Sequence, residues 1–136
     1  MTPDEARGRF AEASVAYLAT VGADGAPHIV PITFALDRDV IYTAVDAKPK
    51  RGTPLRRFEN VTGNPRVSVL VDRYDDDWTR LWWARADGRA SIVTDGDELD
   101  RALSALRERY PQYARVALTG PGMAIAVDRW SGWSSA

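Results

Sequence analysis

The chain contains no cysteine, which excludes disulfides, thiolate metal sites and a thiol nucleophile together. Its one histidine, His28, excludes a histidine relay and a metal site built on paired imidazoles. The common phosphate loops, G-x-G-x-x-G and G-x-x-x-x-G-K-S/T, are missing, and so is a nucleophile elbow around any serine. No apolar run approaches the ~18 residues of a membrane span. The first ten residues lack the apolar centre of a secretion signal, so a cytoplasmic protein with no membrane contact is expected. A net charge of −1 and a pI near 5.8 leave no broad basic face for nucleic acid.

What is present is ordinary for a globular protein: 45% hydrophobic and 27% charged residues in 136, expected to form one domain across residues 1–136. Thr2-Pro3-Asp4-Glu5 supplies an N-cap, a proline and an acid at the capping-box position, which predicts a helix over about 3–13 anchored by Phe10. A β-rich run over 15–21 ends at Asp24-Gly25, a hairpin signal because both residues tolerate positive φ. The return strand, 27–36, carries Pro31, which cannot donate to a ladder and marks a bulge or an unpaired edge. A turn at Asp37-Arg38-Asp39 leads into a strand over 40–45. Thr53-Pro54 predicts a helix start, with Leu55, Phe58 and Val61 as its apolar stripe and Gly63-Asn64-Pro65 as its stop.

Val67, Val69 and Val71 then alternate along a strand over 66–72. Residues 79–94 are again β, interrupted near Asp87-Gly88, which fits one bent strand or a second hairpin. Asp95-Gly96-Asp97-Glu98 caps a helix with Leu99, Leu103, Leu106 and Tyr110 on one face, ended by Pro111. Residues 113–118 add a further turn, a last strand covers 123–130, and Ser131-Gly132-Trp133 closes the chain. The expected class is mainly β with accessory helices, a small antiparallel barrel.

Three clusters bear on function. The only two lysines, Lys48 and Lys50, sit in the stretch 44–57, and five cations (Lys48, Lys50, Arg51, Arg56, Arg57) stand between 47 and 58 without an acid. A solvated cationic loop is the ordinary fate of such a run. This one brackets a predicted helix start, where free N–H groups favour an anion, and it joins a lysine point charge to an arginine fork. A phosphate-bearing cofactor therefore stands beside the solvated loop as a reading. The acidic run Asp72, Asp75, Asp76, Asp77 lacks the spacing and glycine of a calcium loop, so no metal is expected. His28 reads as a partly buried strand residue with one hydrogen bond. Trp82 and Trp83 are adjacent and point to opposite faces of a strand, so one of them offers a surface to a second subunit or a planar ligand.

Taken in order, the stretches 19–34, 41–51 and 64–71 resemble the split β-barrel flavin/deazaflavin oxidoreductases, relatives of pyridoxamine 5′-phosphate oxidase. The segments 72–78 and 81–88 are similar to the branch that uses the deazaflavin coenzyme F420. The resemblance covers nearly the whole chain. It implies an FMN-binding, pyridoxamine-phosphate-oxidase-like split barrel, homodimeric, with two cofactor sites at the subunit interface. It also implies an oxidoreductase passing hydride between coenzyme F420 and a small unsaturated or planar substrate. The alternatives are an FMN-dependent enzyme of the oxidase type and a protein that binds the cofactor without catalysis.

Carried over by residue, Lys48 and Lys50 match the basic pair at the cofactor phosphate, with Arg51 adjacent. Thr43 matches a small hydroxyl residue near the cofactor. Pro31, Ile32 and Thr33 match the strand that passes the ring. Trp78 matches a tryptophan that reaches the site from the other subunit, and Trp130 to Trp133 form a further wall. The Lys-Pro-Lys-Arg loop favours the deazaflavin over FMN. No catalytic residue is assigned, because the hydride is the cofactor's, and a proton would come from solvent, Tyr42 or Tyr74.

Overall fold

The computed structural model describes residues 1–45 and 55–135, and there seven strands form one curled antiparallel sheet with three helices around it. The chain runs α1 (Pro3–Glu12), β1 (Ala16–Val21), β2 (Pro27–Ile32), β3 (Ala35–Asp37), β4 (Val40–Ala44), α2 (Arg56–Gly63) and β5 (Arg66–Arg73). A 3₁₀ turn (Trp78–Arg80), β6 (Trp82–Val93), α3 (Gly96–Arg109), a second 3₁₀ turn (Pro111–Ala114) and β7 (Gly122–Ser134) complete it.

The strand order is β2-β1-β5-β6-β7-β4-β3. The two edge strands, β2 and β3, are thus consecutive in the chain, with only Thr33 and Phe34 between them. Three residue steps reach at most ~11 Å. The sheet must therefore curl until its edges nearly meet, and the result is a split barrel. Pro31 lies on the edge strand β2, opposite Tyr17 of β1, as its missing N–H requires.

The inward faces build the core: Leu18 of β1, Val67, Val69 and Val71 of β5, Ala84 and Ala86 of β6, Met123 and Ile125 of β7. The first helix has its capping box, in which Thr2 Oγ1 accepts from the Glu5 N–H and Glu5 accepts from the Thr2 N–H. It delivers Phe10 edge-on to Phe34 and Trp130, with ring centroids 5.9 and 5.1 Å away. The second helix buries Phe58 and Val61, and Asn60 Nδ2 donates to Thr20 Oγ1 at 2.9 Å inside the barrel. The third packs Leu103, Leu106 and Tyr110 over Ala35 and Ala44. Among the described residues no helix is long and apolar enough to cross a membrane.

Four expectations change. The strand expected over 27–36 breaks at Thr33-Phe34, where the chain passes from one sheet edge to the other. The helix expected from Thr53-Pro54 begins at Arg56 behind Leu55, which makes no side-chain cap bond; Thr53 and Pro54 lie outside the described residues. The last strand does not end near Trp130 but continues to Ser134, because Ser131, Gly132 and Trp133 pair with Arg85, Ala84 and Trp83. His28 is partly buried as expected, yet its Nδ1 has no hydrogen-bond partner among the described residues. Of the two readings of 79–94 the single bent strand holds: β6 is continuous, with a register shift against β7 between Asp87 and Gly88. A Cβ on Gly88 would stand 2.3 Å from the Ala126 carbonyl oxygen, so the close approach at the bulge requires glycine.

Candidate cofactor site

The corner between β2 and β3 brings several of the expected site residues together. Breaking the ladder there frees backbone groups that need new partners. Thr43 Oγ1 on β4 donates to the Thr33 carbonyl at 2.8 Å. The Thr33 hydroxyl pairs with the Tyr113 hydroxyl at 2.6 Å. The Tyr110 hydroxyl accepts from the Phe34 N–H at 3.0 Å and donates to the Ser14 carbonyl at 2.9 Å. Two tyrosines from the end of α3 and the turn after it thereby satisfy the corner. Their role was missed in the sequence, though a tyrosine ending an apolar helix stripe carries a hydroxyl that must find a partner when buried.

Pro31 is exposed on the edge, while Ile32 and Thr43 are buried, so these two shape the corner from beneath. Lys48, Lys50 and Arg51 lie outside the described residues. Of the two tyrosines considered as proton sources, Tyr42 is buried beneath α3 with Ala102, and Tyr74 stands in solvent. The guanidinium of Arg101 is held further above its ordinary pKa by its hydrogen bond to Tyr42.

The outward face of the sheet mixes apolar side chains with the Ser68–Asp87–Arg85 network. Tyr17 lies beside Pro31 and Leu70, Ile29 lies beside Ala19, and Trp83 faces Trp133 across β6 and β7. Ile29 is 65% exposed and Trp133 47%. Trp82 turns the other way and packs against the core, so Trp83 is the outward member of the adjacent pair.

Trp78 stands on the β5–β6 connection, 69% exposed. The acids around it are used locally. Asp77 Oδ1 accepts from the Thr79 hydroxyl at 2.6 Å and the Thr79 N–H at 3.0 Å, and Asp75 accepts from the Asp77 N–H at 2.8 Å and from Arg73 at 3.3 Å. The Thr79 hydroxyl, and after it the Thr79 N–H, hold the Asp77 carboxyl below its ordinary pKa. Among the described residues no group of three or more acids or histidines is arranged to hold a metal.

Known proteins share this architecture. Over 55 residues the chain is 40% identical to the 5a,11a-dehydrotetracycline/5a,11a-dehydrooxytetracycline reductase of Streptomyces rimosus, a stretch that covers 40% of this chain and 37% of that enzyme. The chain thus spans little more than a third of that relative's length. A FAD-binding protein of Mesorhizobium loti superposes with a TM-score of 0.74 at 25% identity, over 97% of this chain and 94% of that one. A conserved hypothetical protein of Mycobacterium tuberculosis superposes with a TM-score of 0.77 at 23% identity, over 99% and 86% of the two chains, and shares the fold. The signature of the pyridoxamine 5′-phosphate oxidase family matches residues 2–134, and with the split barrel that carries it, the chain belongs to that family of oxidoreductases.

Proposed function

We propose that this protein is an oxidoreductase dependent on the deazaflavin coenzyme F420, acting on a small unsaturated or planar substrate as a homodimer with cofactor sites between the subunits. The observation that carries the reading is the exposed apolar shelf of Tyr17, Ile29 and Pro31 beside the Thr33–Thr43 corner. From that corner the sequence runs within five residues of Thr43 to Lys48. A flavin-like group needs a flat apolar support for its ring and cations for its phosphate, and both kinds of residue occur here in adjacent segments.

In this proposal Pro31, Ile32 and Thr33 support the ring, with Thr43 behind them. Lys48, Lys50 and Arg51 neutralise the phosphate, and Trp78 closes the pocket from the partner subunit and excludes water. When bound, the deazaflavin supplies hydride from its ring carbon. The chain's own residues orient the ring and the substrate so that the transfer distance is short. The name of the Streptomyces rimosus relative, a reductase of a dehydrotetracycline, supports a flat unsaturated substrate.

The test is a titration of the purified protein with coenzyme F420 and with FMN, followed by tryptophan quenching. F420 is expected to bind more tightly, and Lys48→Ala or Lys50→Ala to lose about 1.5–3 kcal/mol of that affinity, the usual worth of a hydrogen bond to a charged group. FMN co-purifying with a protein that ignores F420 would establish the second reading, an FMN-dependent enzyme, which the FAD-binding relative favours. F420 binding without turnover of enones or quinones would leave a cofactor-binding protein.

A further inference from the structure

Away from the cofactor corner, Arg9 occupies an unusual position. It stands half-buried in the last turn of α1, with its guanidinium 4.7 Å from the centre of the Trp82 ring. Among the described residues it has no carboxylate and no hydrogen-bond partner for its side chain; the indole is its one contact of that kind. It lines a cavity of about 270 Å³ together with Arg73, Arg80 and Trp82, and no acidic residue lines that cavity. Arg73 and Arg80 are only partly neutralised: each reaches one carboxylate oxygen, of the half-buried Asp75 at 3.3 Å and of the exposed Asp77 at 3.6 Å. A second cavity of about 340 Å³ shares Arg9, Arg73 and Trp82, and there Glu12 and Asp72 join the wall. The groove therefore has a purely cationic end and a mixed end.

We propose that this groove between α1 and the β5–β6 connection is a carboxylate-binding site, in which the Arg9 fork, placed over the Trp82 ring, receives a small unsaturated acid with Arg73 and Arg80 beside it. The guanidinium is planar by itself, and contact with an aromatic ring restricts where the side chain sits, so less freedom is lost when a carboxylate docks on it. The Arg9 nitrogens reach the open groove, where a bound acid would supply the anion that the surrounding residues do not. The ordinary explanation, a cation favoured at the C-terminal end of a helix dipole, accounts for charge at Arg9 but not for two further arginines around the same cavity. Arg80 belongs to the turn that begins at Trp78. If Trp78 reaches the partner's cofactor, which rests on the function proposed above, the groove opens next to that cofactor and selects substrates that carry a carboxylate.

The experiment uses cofactor-free protein, so its outcome is separate from the cofactor reading. Cinnamate and cinnamamide are titrated against the wild type, Arg9→Gln, Arg9→Lys and the control Arg129→Gln, an exposed arginine outside the groove. Binding is read by tryptophan fluorescence and folding by thermal melting. Cinnamate is expected to bind at least about tenfold more tightly than the amide, to lose about tenfold in Arg9→Gln, to regain part in Arg9→Lys and to be unchanged in Arg129→Gln. Equal binding of acid and amide, or an Arg9→Gln protein with wild-type affinity, overturns the proposal. So does inorganic phosphate that displaces cinnamate at lower concentration than cinnamate itself requires, since the site would then be a phosphate site. Should Arg9→Gln melt far below the wild type, Arg80→Gln carries the same comparison. Failure of F420 to bind would overturn the cofactor reading and leave this titration as it stands.

Discussion

The hydroxyl of Thr43 donates to the backbone carbonyl of Thr33 at 2.8 Å, and this bond ties the end of β4 to the two-residue corner that joins the barrel's edges. Thr43 is 1% exposed and Thr33 is half-buried, so the bond is partly shielded from water and solvent replaces it poorly. The same residue lies one position before the end of the strand that leads toward the two lysines, which makes the bond a strut beneath the proposed cofactor site.

Thr43→Val conserves the shape and removes the donor. The Thr33 carbonyl then lacks that partner, and the expected cost is about 1–3 kcal/mol of unfolding free energy. Urea unfolding should show a lower midpoint with an unchanged slope, the mark of lost stability rather than altered compactness. A midpoint equal to the wild type would mean that the corner holds without this bond.

Tyr110 is the second strut, because one hydroxyl serves the Phe34 N–H and the Ser14 carbonyl. Phe34 is fully buried, so Tyr110→Phe strands an amide donor in the interior. The expected cost is about 2–3 kcal/mol, toward the upper end for a buried unsatisfied group. Amide exchange separates this from a general loss of packing: the Phe34 amide should exchange faster by more than the amides of Val69 and Val71, which lie in the interior strand β5.

These struts also explain what the sequence could and could not announce. Alternation along β5 is a local signal, and Val67, Val69 and Val71 are all buried as the pattern predicts. The break at Thr33-Phe34 is not local, since it depends on Tyr110, 76 positions along the chain. The end of β7 was obscured by Ser131-Gly132, which reads as a turn. In the ladder Gly132 is needed for a different reason: a Cβ there would stand 2.7 Å from the Trp83 carbonyl oxygen. Charge marked Lys48, Lys50 and Arg51 without any fold, whereas the Arg9 groove required α1 to lie across Trp82 of β6. Period and charge are written along the chain; close approaches between distant elements are not.

The Trp78 turn gives the pH prediction. Asp77 accepts two hydrogen bonds from Thr79, which hold its folded-state pKa below the unfolded value. A depressed carboxylate contributes in full above the ordinary value, about 4, and the contribution disappears as pH falls through the lowered one. The turn carrying Trp78 should therefore keep its shape at neutral pH and loosen only in acid, and Arg80, 3.6 Å from the same carboxylate, should lose its partner in that range. The indole N–H resonance of Trp78 reports this directly. In the wild type it is expected to move in one acid transition below about pH 4. Asp77→Asn retains an acceptor oxygen for Thr79 but has nothing to titrate, so its Trp78 resonance should stay flat through that range. A transition of the same size and midpoint in Asp77→Asn would assign the change to another acid of the loop, Asp75 being the nearest candidate through its bond to the Asp77 N–H.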